Sequence, residues 1–190
     1  MPTPDRTSLH EIVAAARDLL EVDGVDGLSM RAVADRVGVR APSLYKRVRS
    51  RDELLRLVAE AAVDELAARL DAVAVSAAGD EPVTRLAALA RTLRGFAHER
   101  PAGYRLLFSP PSGAGLAPER LTPATAALFA LTSELAGPQN ALEAARTVTA
   151  WATGFIAMEL AGSFQLGGDV ERAFEFGISR IGASFARLAD

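Results

Sequence analysis

The chain has 190 residues, 49% of them hydrophobic, and a formal net charge of −3. That length suits one large domain or a small head on a larger body, and that apolar content excludes a disordered chain. The absence of cysteine excludes disulfides, thiolate zinc sites, iron–sulfur clusters and cysteine nucleophiles, and His10 and His98 stand too far apart for helix-spaced metal ligands, so neither a metal nor a cofactor is expected.

The longest uncharged stretches, such as 121–133 and 147–158, fall short of the ~18–20 residues a membrane span needs. The segment from Met1 to Arg6 lacks the apolar core of a signal peptide. A soluble, cytoplasmic protein without a membrane partner is the expectation.

In chain order the pattern is helical throughout. Alanine is abundant, and Leu9, Ile12, Val13, Ala16, Leu19 and Leu20 recur at the spacing of one helix face. Asp23-Gly24 and Asp26-Gly27 break that helix. Ser29 is a good N-cap for a short second helix over 30–37, with Leu28 and Val33 placed to staple its start. Gly38 ends it, because the turn needs a residue tolerant of positive φ. Pro42 opens a third helix reaching about Val48, where its missing N–H costs nothing. Ser50-Arg51-Asp52-Glu53 reads as a capping box for a longer fourth helix, lined on one side by Leu54, Leu55, Val58, Ala62, Leu66 and Leu70. Further helices are expected at about 81–99, 101–108, 122–135, 139–162 and 169–188. The Ser109-Pro110-Pro111-Ser112-Gly113-Ala114-Gly115 stretch is a loop.

The overall charge does not suggest a nucleic-acid ligand, but its distribution does. From Arg36 to Arg51 there are six basic residues (Arg36, Arg40, Lys46, Arg47, Arg49, Arg51) and no acidic one. In the same stretch Ala34 is small, Gly38 supplies a turn, and Val33, Val37, Val39, Leu44 and Val48 are apolar. Two short helices crossing steeply need a small side chain at the contact, a glycine between them and apolar inner faces, which is the arrangement of a helix-turn-helix. An ordinary helical hairpin satisfies the same spacing. The basic residues on the outer side of the second helix favour double-stranded DNA as the partner.

These residues resemble a family. Residues 9–56 are similar to the DNA-binding head of TetR-type transcriptional regulators. The match lies in Leu28-Ser29-Met30-Arg31, Val33-Ala34, Gly38-Val39, Leu44-Tyr45 and the Arg49-Ser50-Arg51-Asp52-Glu53-Leu54-Leu55 run. Arg47 stands where that family commonly has histidine, and Val48 where it commonly has phenylalanine. Pro101-Ala102-Gly103-Tyr104-Arg105-Leu106-Leu107-Phe108 and Trp151-Ala152-Thr153-Gly154 resemble the subgroup with a C-terminal Trp-His-Gly signature, Thr153 replacing the histidine. The resemblance implies a homodimer that represses transcription and leaves DNA on binding a small-molecule effector. The expected fold is all-α: a three-helix helix-turn-helix head over residues 1–56, joined by a long helix to an effector-binding and dimerisation body over 57–190.

At the DNA, Ala41, Pro42 and Ser43 begin the recognition helix and approach base edges most closely. Arg31 and Arg40 have the reach for a bidentate guanine contact, and Lys46 for a base or a phosphate. Tyr45, Arg47 and Arg51 suit phosphates, as does the start of the fourth helix around Ser50. Ser29, at the start of the second helix, completes the set, and Arg6 is a candidate for a terminal arm.

In the body, Phe96, Tyr104, Leu107, Phe108, Phe129, Trp151, Phe155 and Met158 are candidates for lining an effector cavity, although aromatic clusters of this kind are more often core. Glu159 joins them because a carboxylate in an apolar helix must be paired, used or solvated. Such a lining fits a lipophilic effector. Phe174, Ile178, Ile181 and Phe185 form a terminal stripe, with Gly177 and Gly182 allowing close approach. Together with Leu142, Ala145 and Val148 they are the candidate dimer interface, the alternative being that the stripe packs within its own subunit. No base, nucleophile or metal constellation marks an enzyme. A helical carrier, or an enzyme for a hydrophobic small molecule, without DNA function is the competing reading.

Overall fold

The computed structural model describes residues 8–111 and 115–186; Arg6, Leu188 and residues 112–114 of the expected loop lie outside them. The described residues form nine α-helices and no strand. They divide into two compact units, the first running to Asp64 and taking back Arg100–Arg120, the second comprising Glu65–Glu99 and the chain from Leu121 onward.

The first unit opens with α1, Leu9–Gly27. Ser8 caps it: the Ser8 hydroxyl accepts from Glu11 N–H at 3.2 Å, while Ser8 N–H donates to the Glu11 carboxylate at 2.7 Å. Gly24 interrupts the helix with φ 70°, ψ −174°, a conformation that only glycine adopts without strain. Next come α2, Met30–Arg36, and α3, Ala41–Leu44. Ser29 caps α2 by accepting from Ala32 N–H at 3.1 Å, and Gly38 turns the chain with φ 72°.

The third helix is shorter than the sequence predicts. Beyond Leu44 the chain tightens: Arg47 N–H donates to Leu44 O at 2.8 Å, an i to i+3 bond, before Val48 N–H returns to the same carbonyl at 2.9 Å. A long helix, α4, Arg51–Ser76, follows. Ser50 accepts from Glu53 N–H at 3.1 Å as a cap should, but the Glu53 carboxylate takes the N–H of Arg49 at 2.6 Å and not that of Ser50.

Ile12, Ala16, Leu20, Leu28, Val33, Leu44, Val48, Leu54, Leu55 and Val58 are buried together, and Leu106 joins them from α6, Pro101–Phe108. This is why the first unit extends beyond 1–56. The Glu21 carboxylate accepts the N–H groups of Ala102 at 3.0 Å and Gly103 at 2.9 Å, satisfying two of the donors that a helix start leaves open. Arg120 also pairs with Asp64 at 3.1 Å in this unit.

The second unit contains α5, Pro82–Glu99; most of α7, Pro118–Ala136; a single 3₁₀ turn at Pro138–Asn140; α8, Ala141–Leu160; and α9, Val170–Ala186. Helix α7 begins before the predicted 122, so Pro123 lies inside it, one turn from the start. Among the described residues of this unit Thr132 is a fully buried polar side chain. Its hydroxyl donates to Phe129 O at 3.1 Å and Ala141 O at 3.0 Å, tying α7 to the start of α8. Helix α9 packs against both α5 and α8.

Candidate nucleic-acid interface

The α2–turn–α3 segment is fastened from inside. Val33, Leu44 and Val48 are fully buried and Ala34 is nearly so, while Val39 N–H donates to Ala34 O at 2.9 Å across the turn. Burying Leu44 and Val48 dictates what the other side of the segment presents. Arg40, Pro42, Ser43, Tyr45, Lys46 and Arg47 are exposed, Ala41 is half-buried, and Tyr45 keeps 52% of its surface in solvent. Seven of the candidate DNA residues therefore occupy one stretch, 40–47, which Leu44 anchors from inside.

The remaining three are placed differently. Ser29 is exposed but its hydroxyl is engaged as the α2 cap. Arg31 is exposed beside Asp35 at 3.9 Å, a separation and exposure that hold it weakly. Arg51 is half-buried. Its Nε donates to Leu28 O at 2.7 Å and its Nη2 to Val25 O, so two of its donors are engaged inside the head. The charge of Arg51 is visible in the sequence, but these partners lie 23 and 26 residues away and no local signal indicates them. The same holds for Glu21, whose partners Ala102 and Gly103 lie 81 and 82 residues away.

The candidate effector residues do not form one group. Tyr104, Leu107 and Phe108 belong to the first unit, the Tyr104 and Phe108 rings tilted against each other with centroids 4.7 Å apart, and burial pushes the Tyr104 phenol up to about 12. The other candidates belong to the second unit. Phe96 is fully buried beneath the Arg69 guanidinium, 5.5 Å from its ring centre, while Phe129 and Met158 are exposed. Trp151 and Phe155 are brought together, with centroids 5.6 Å apart. Phe174 lies 5.2 Å from the first and 5.3 Å from the second, and Phe164 lies 4.7 Å from Phe155.

Glu159 is paired. It accepts from Arg94 Nε at 2.8 Å and Nη2 at 2.6 Å, and lies 3.1 Å from His98 Nε2. Its side chain is 14% exposed and that of Arg94 13%. Arg94 holds the Glu159 carboxyl below its ordinary range. Arg94 also donates to Glu171 and stacks 4.9 Å over Phe174, so one guanidinium joins α5, α8 and α9. Among the described residues no group of three or more His, Cys, Asp or Glu is arranged to hold a metal ion, and no helix is long and apolar enough to cross a membrane.

The terminal stripe is largely occupied within its own chain. Phe174 and Ile178 are fully buried, and Phe185 and Val148 are buried. This corrects their assignment to a dimer interface, since an apolar side chain already packed in the core is not available to a partner. The two glycines of the stripe serve the same packing. A Cβ on Gly177 would meet the Trp151 ring, and one on Gly182 would lie 3.0 Å from Val83. Ala145 and Ile181 are half-buried, and Leu142 is the member of the set that remains exposed.

The described residues are helical, and their first unit carries a helix-turn-helix with a polar, basic outer side, the arrangement of a DNA-binding head. Residues 12–58 match the bacterial regulatory proteins of the tetR family, and residues 86–181 match the tetracyclin repressor-like C-terminal domain. The chain belongs to the TetR family of helix-turn-helix transcriptional regulators. It is 37% identical over 111 residues to an HTH-type transcriptional regulator of Mycobacterium tuberculosis, covering 58% of this chain and 47% of that one. It is 45% identical over 56 residues to the class A tetracycline repressor of Escherichia coli from transposon 1721, covering 30% of this chain and 26% of that one. The chain thus spans about half the length of the mycobacterial regulator, or less in the repressor's case. Among solved structures it is similar to a TetR variant from Acinetobacter baumannii AYE in complex with minocycline, with TM-score 0.71 and 25% identity over 97% of this chain and 99% of that one. It is also similar to a protein of unknown function from Rhodococcus sp. RHA1, with TM-score 0.77 and 26% identity over 98% and 100%.

Proposed function

We propose that the protein is a homodimeric repressor that binds a palindromic operator and is released from it by a small, largely apolar effector. The observation that carries this reading is the two-sided segment 40–47. Leu44 is sealed in the core, as is Val48 just beyond, so Arg40, Pro42, Ser43, Tyr45, Lys46 and Arg47 are offered outward from a fastened scaffold. Arg40 and the short Ala41, Pro42 and Ser43 meet base edges, while Tyr45 and Arg47 meet phosphates and Lys46 either.

For self-association the reading rests on side chains that α8 and α9 leave outside their own core. Phe176 is 63% exposed, Met158 49% and Leu142 44%. Large apolar groups left outside on two long helices favour a second copy of the same helices as the cover.

Release by a ligand is supported by the likeness to the minocycline-bound Acinetobacter regulator and by the aromatic residues of the second unit. Trp151, Thr153 and Gly154 favour the Trp-His-Gly subgroup. Thr153 departs from it in chemistry as well as in name, for its hydroxyl donates back to Thr149 O at 2.7 Å. The effector acts through α4, which contributes residues to both units. A ~100-fold loss of affinity needs about 2.7 kcal/mol of differential effector binding, within reach of one buried aromatic group.

The test is to select bound DNA from a random pool with the whole chain, and then to screen apolar compounds for release of the selected site. Recovery of a two-fold symmetric sequence that an apolar compound releases supports the reading. Recovery of no sequence above the random background contradicts it.

A further inference from the structure

We propose that Arg51 is the residue that positions the recognition segment, acting through two main-chain carbonyls and not through a DNA phosphate. The proposal rests on the DNA-binding reading of the head. Arg51 is the first residue of α4 and ends the basic island, where a phosphate contact is the natural expectation. Its guanidinium instead turns inward. Nε donates to Leu28 O at 2.7 Å and Nη2 donates to Val25 O.

Both acceptors have a reason to need such a donor. Val25 lies in the last turn of α1, beyond the break at Gly24, where helix carbonyls lack intrahelical partners and carry partial negative charge. Val25 O otherwise receives Leu28 N–H at 3.3 Å, a long bond. Leu28 is completely buried, so its carbonyl must find a donor inside the protein. A planar guanidinium presents two donors in a fixed fork and satisfies both carbonyls at once.

The position of these bonds gives them their consequence. Leu28 immediately precedes the α2 cap and Arg51 immediately follows the α4 cap, so the two bonds close a loop containing the entire helix-turn-helix. Helix α3 is four residues long and has no side-chain cap. A helix of that length has no stability of its own, so its orientation comes from what holds its two ends. Inside, Leu44 and Val48 hold it by packing; at the base of the loop Arg51 holds the frame. Arg51 thus sets the angle at which residues 40–47 meet DNA while touching no nucleotide.

The experiment uses the whole chain and the selected operator, with Arg51→Met and Arg51→Gln measured across a salt series. Arg51→Met is expected to lower operator affinity at least about tenfold with an unchanged salt slope, because no phosphate contact is lost. Arg51→Gln is expected to recover part of that loss, since an uncharged amide still donates to a carbonyl. A slope reduced by about one unit in both variants, with no recovery in Arg51→Gln, would overturn the proposal in favour of a phosphate contact. Wild-type affinity in Arg51→Met would overturn it too. Hydrogen exchange without DNA provides a second readout, which stands even if no operator is found and the DNA-binding reading itself fails. Arg51→Met is expected to speed exchange in residues 29–50 selectively and Arg51→Gln to do so less. Exchange as slow as in the wild type, or raised equally through α1, contradicts the assignment.

Discussion

The indole of Trp151 occupies the space that a side chain on Gly177 would need: a Cβ there would lie 2.9 Å from Cε2 and 3.1 Å from Cη2 of the ring. Gly177→Ala therefore forces Trp151 off its seat between α8 and Phe174. Overpacking of this kind costs ~1–3 kcal/mol, and about 2–4 °C of melting temperature per kcal/mol in a chain of this size. Trp151 is the sole tryptophan, so its fluorescence reports the change directly. A variant with wild-type melting and an unshifted emission spectrum would show that the ring has another place to go.

Acid should weaken the second unit in a defined way. Arg94 holds the Glu159 carboxyl below its ordinary value of 4.5, and Arg91 does the same for Glu175. Arg94 also faces Glu171, and Glu159 also faces His98. Below 4.5 the unfolded chain binds more protons than the folded one. The stabilisation is complete above that value and is lost as pH falls through the lowered folded pKa. Denaturant titrations from pH 6 downward should show a slope that flattens in the Glu159→Gln, Glu175→Gln double variant. Arg94→Met strands Glu159 in a largely buried setting and should cost about 3 kcal/mol at neutral pH, the lower end for a broken buried pair.

Phe185 and Phe176 lie on one helix and should behave oppositely. Phe185 is buried in its own subunit, so Phe185→Asp should destabilise the second unit by several kcal/mol. Phe176 faces outward, so Phe176→Asp should leave the melting of a dilute sample nearly unchanged but weaken self-association at least about tenfold. Light scattering and thermal melts on both variants separate the two effects. Dissociation by Phe185→Asp with an intact fold would restore the stripe as the interface.

At the DNA, Ser43→Ala and Arg40→Ala should change which base is preferred at one position, at ~1–3 kcal/mol for a lost bidentate arginine contact and less for a hydroxyl. Arg47→Ala should weaken all sequences alike and reduce the salt slope by about one. Selection repeated with each variant reads both effects, and a changed preference with Arg47→Ala would reverse the roles.

What was legible in the sequence follows the range of each interaction. Ser29, Gly38 and the Ser50 hydroxyl act on neighbours within a few residues, and their caps and turn stand where the pattern places them. The length of α3 was not legible, because Arg47 N–H chooses between carbonyls one residue apart. Phe174, Ile178 and Phe185 are readable as an apolar stripe, but periodicity does not name the surface that covers it, and here that surface is intramolecular. Glu159 is recognisable as a carboxylate in need of a partner; Arg94, 65 residues earlier, is beyond any local signal. Arg51 shows the same limit within the head. Its charge suggested phosphate, and only the fold brings Val25 and Leu28 to it.

If the protein acts as proposed, two copies of the 40–47 segment engage one DNA duplex together. Footprinting the wild-type chain on its selected site decides this. Two protected half-sites on one face of the duplex, related by a two-fold axis and centred one helical turn apart, ~34 Å, or a little more, are the predicted result. A single unpaired half-site, protected at concentrations where the protein is dimeric, would contradict it.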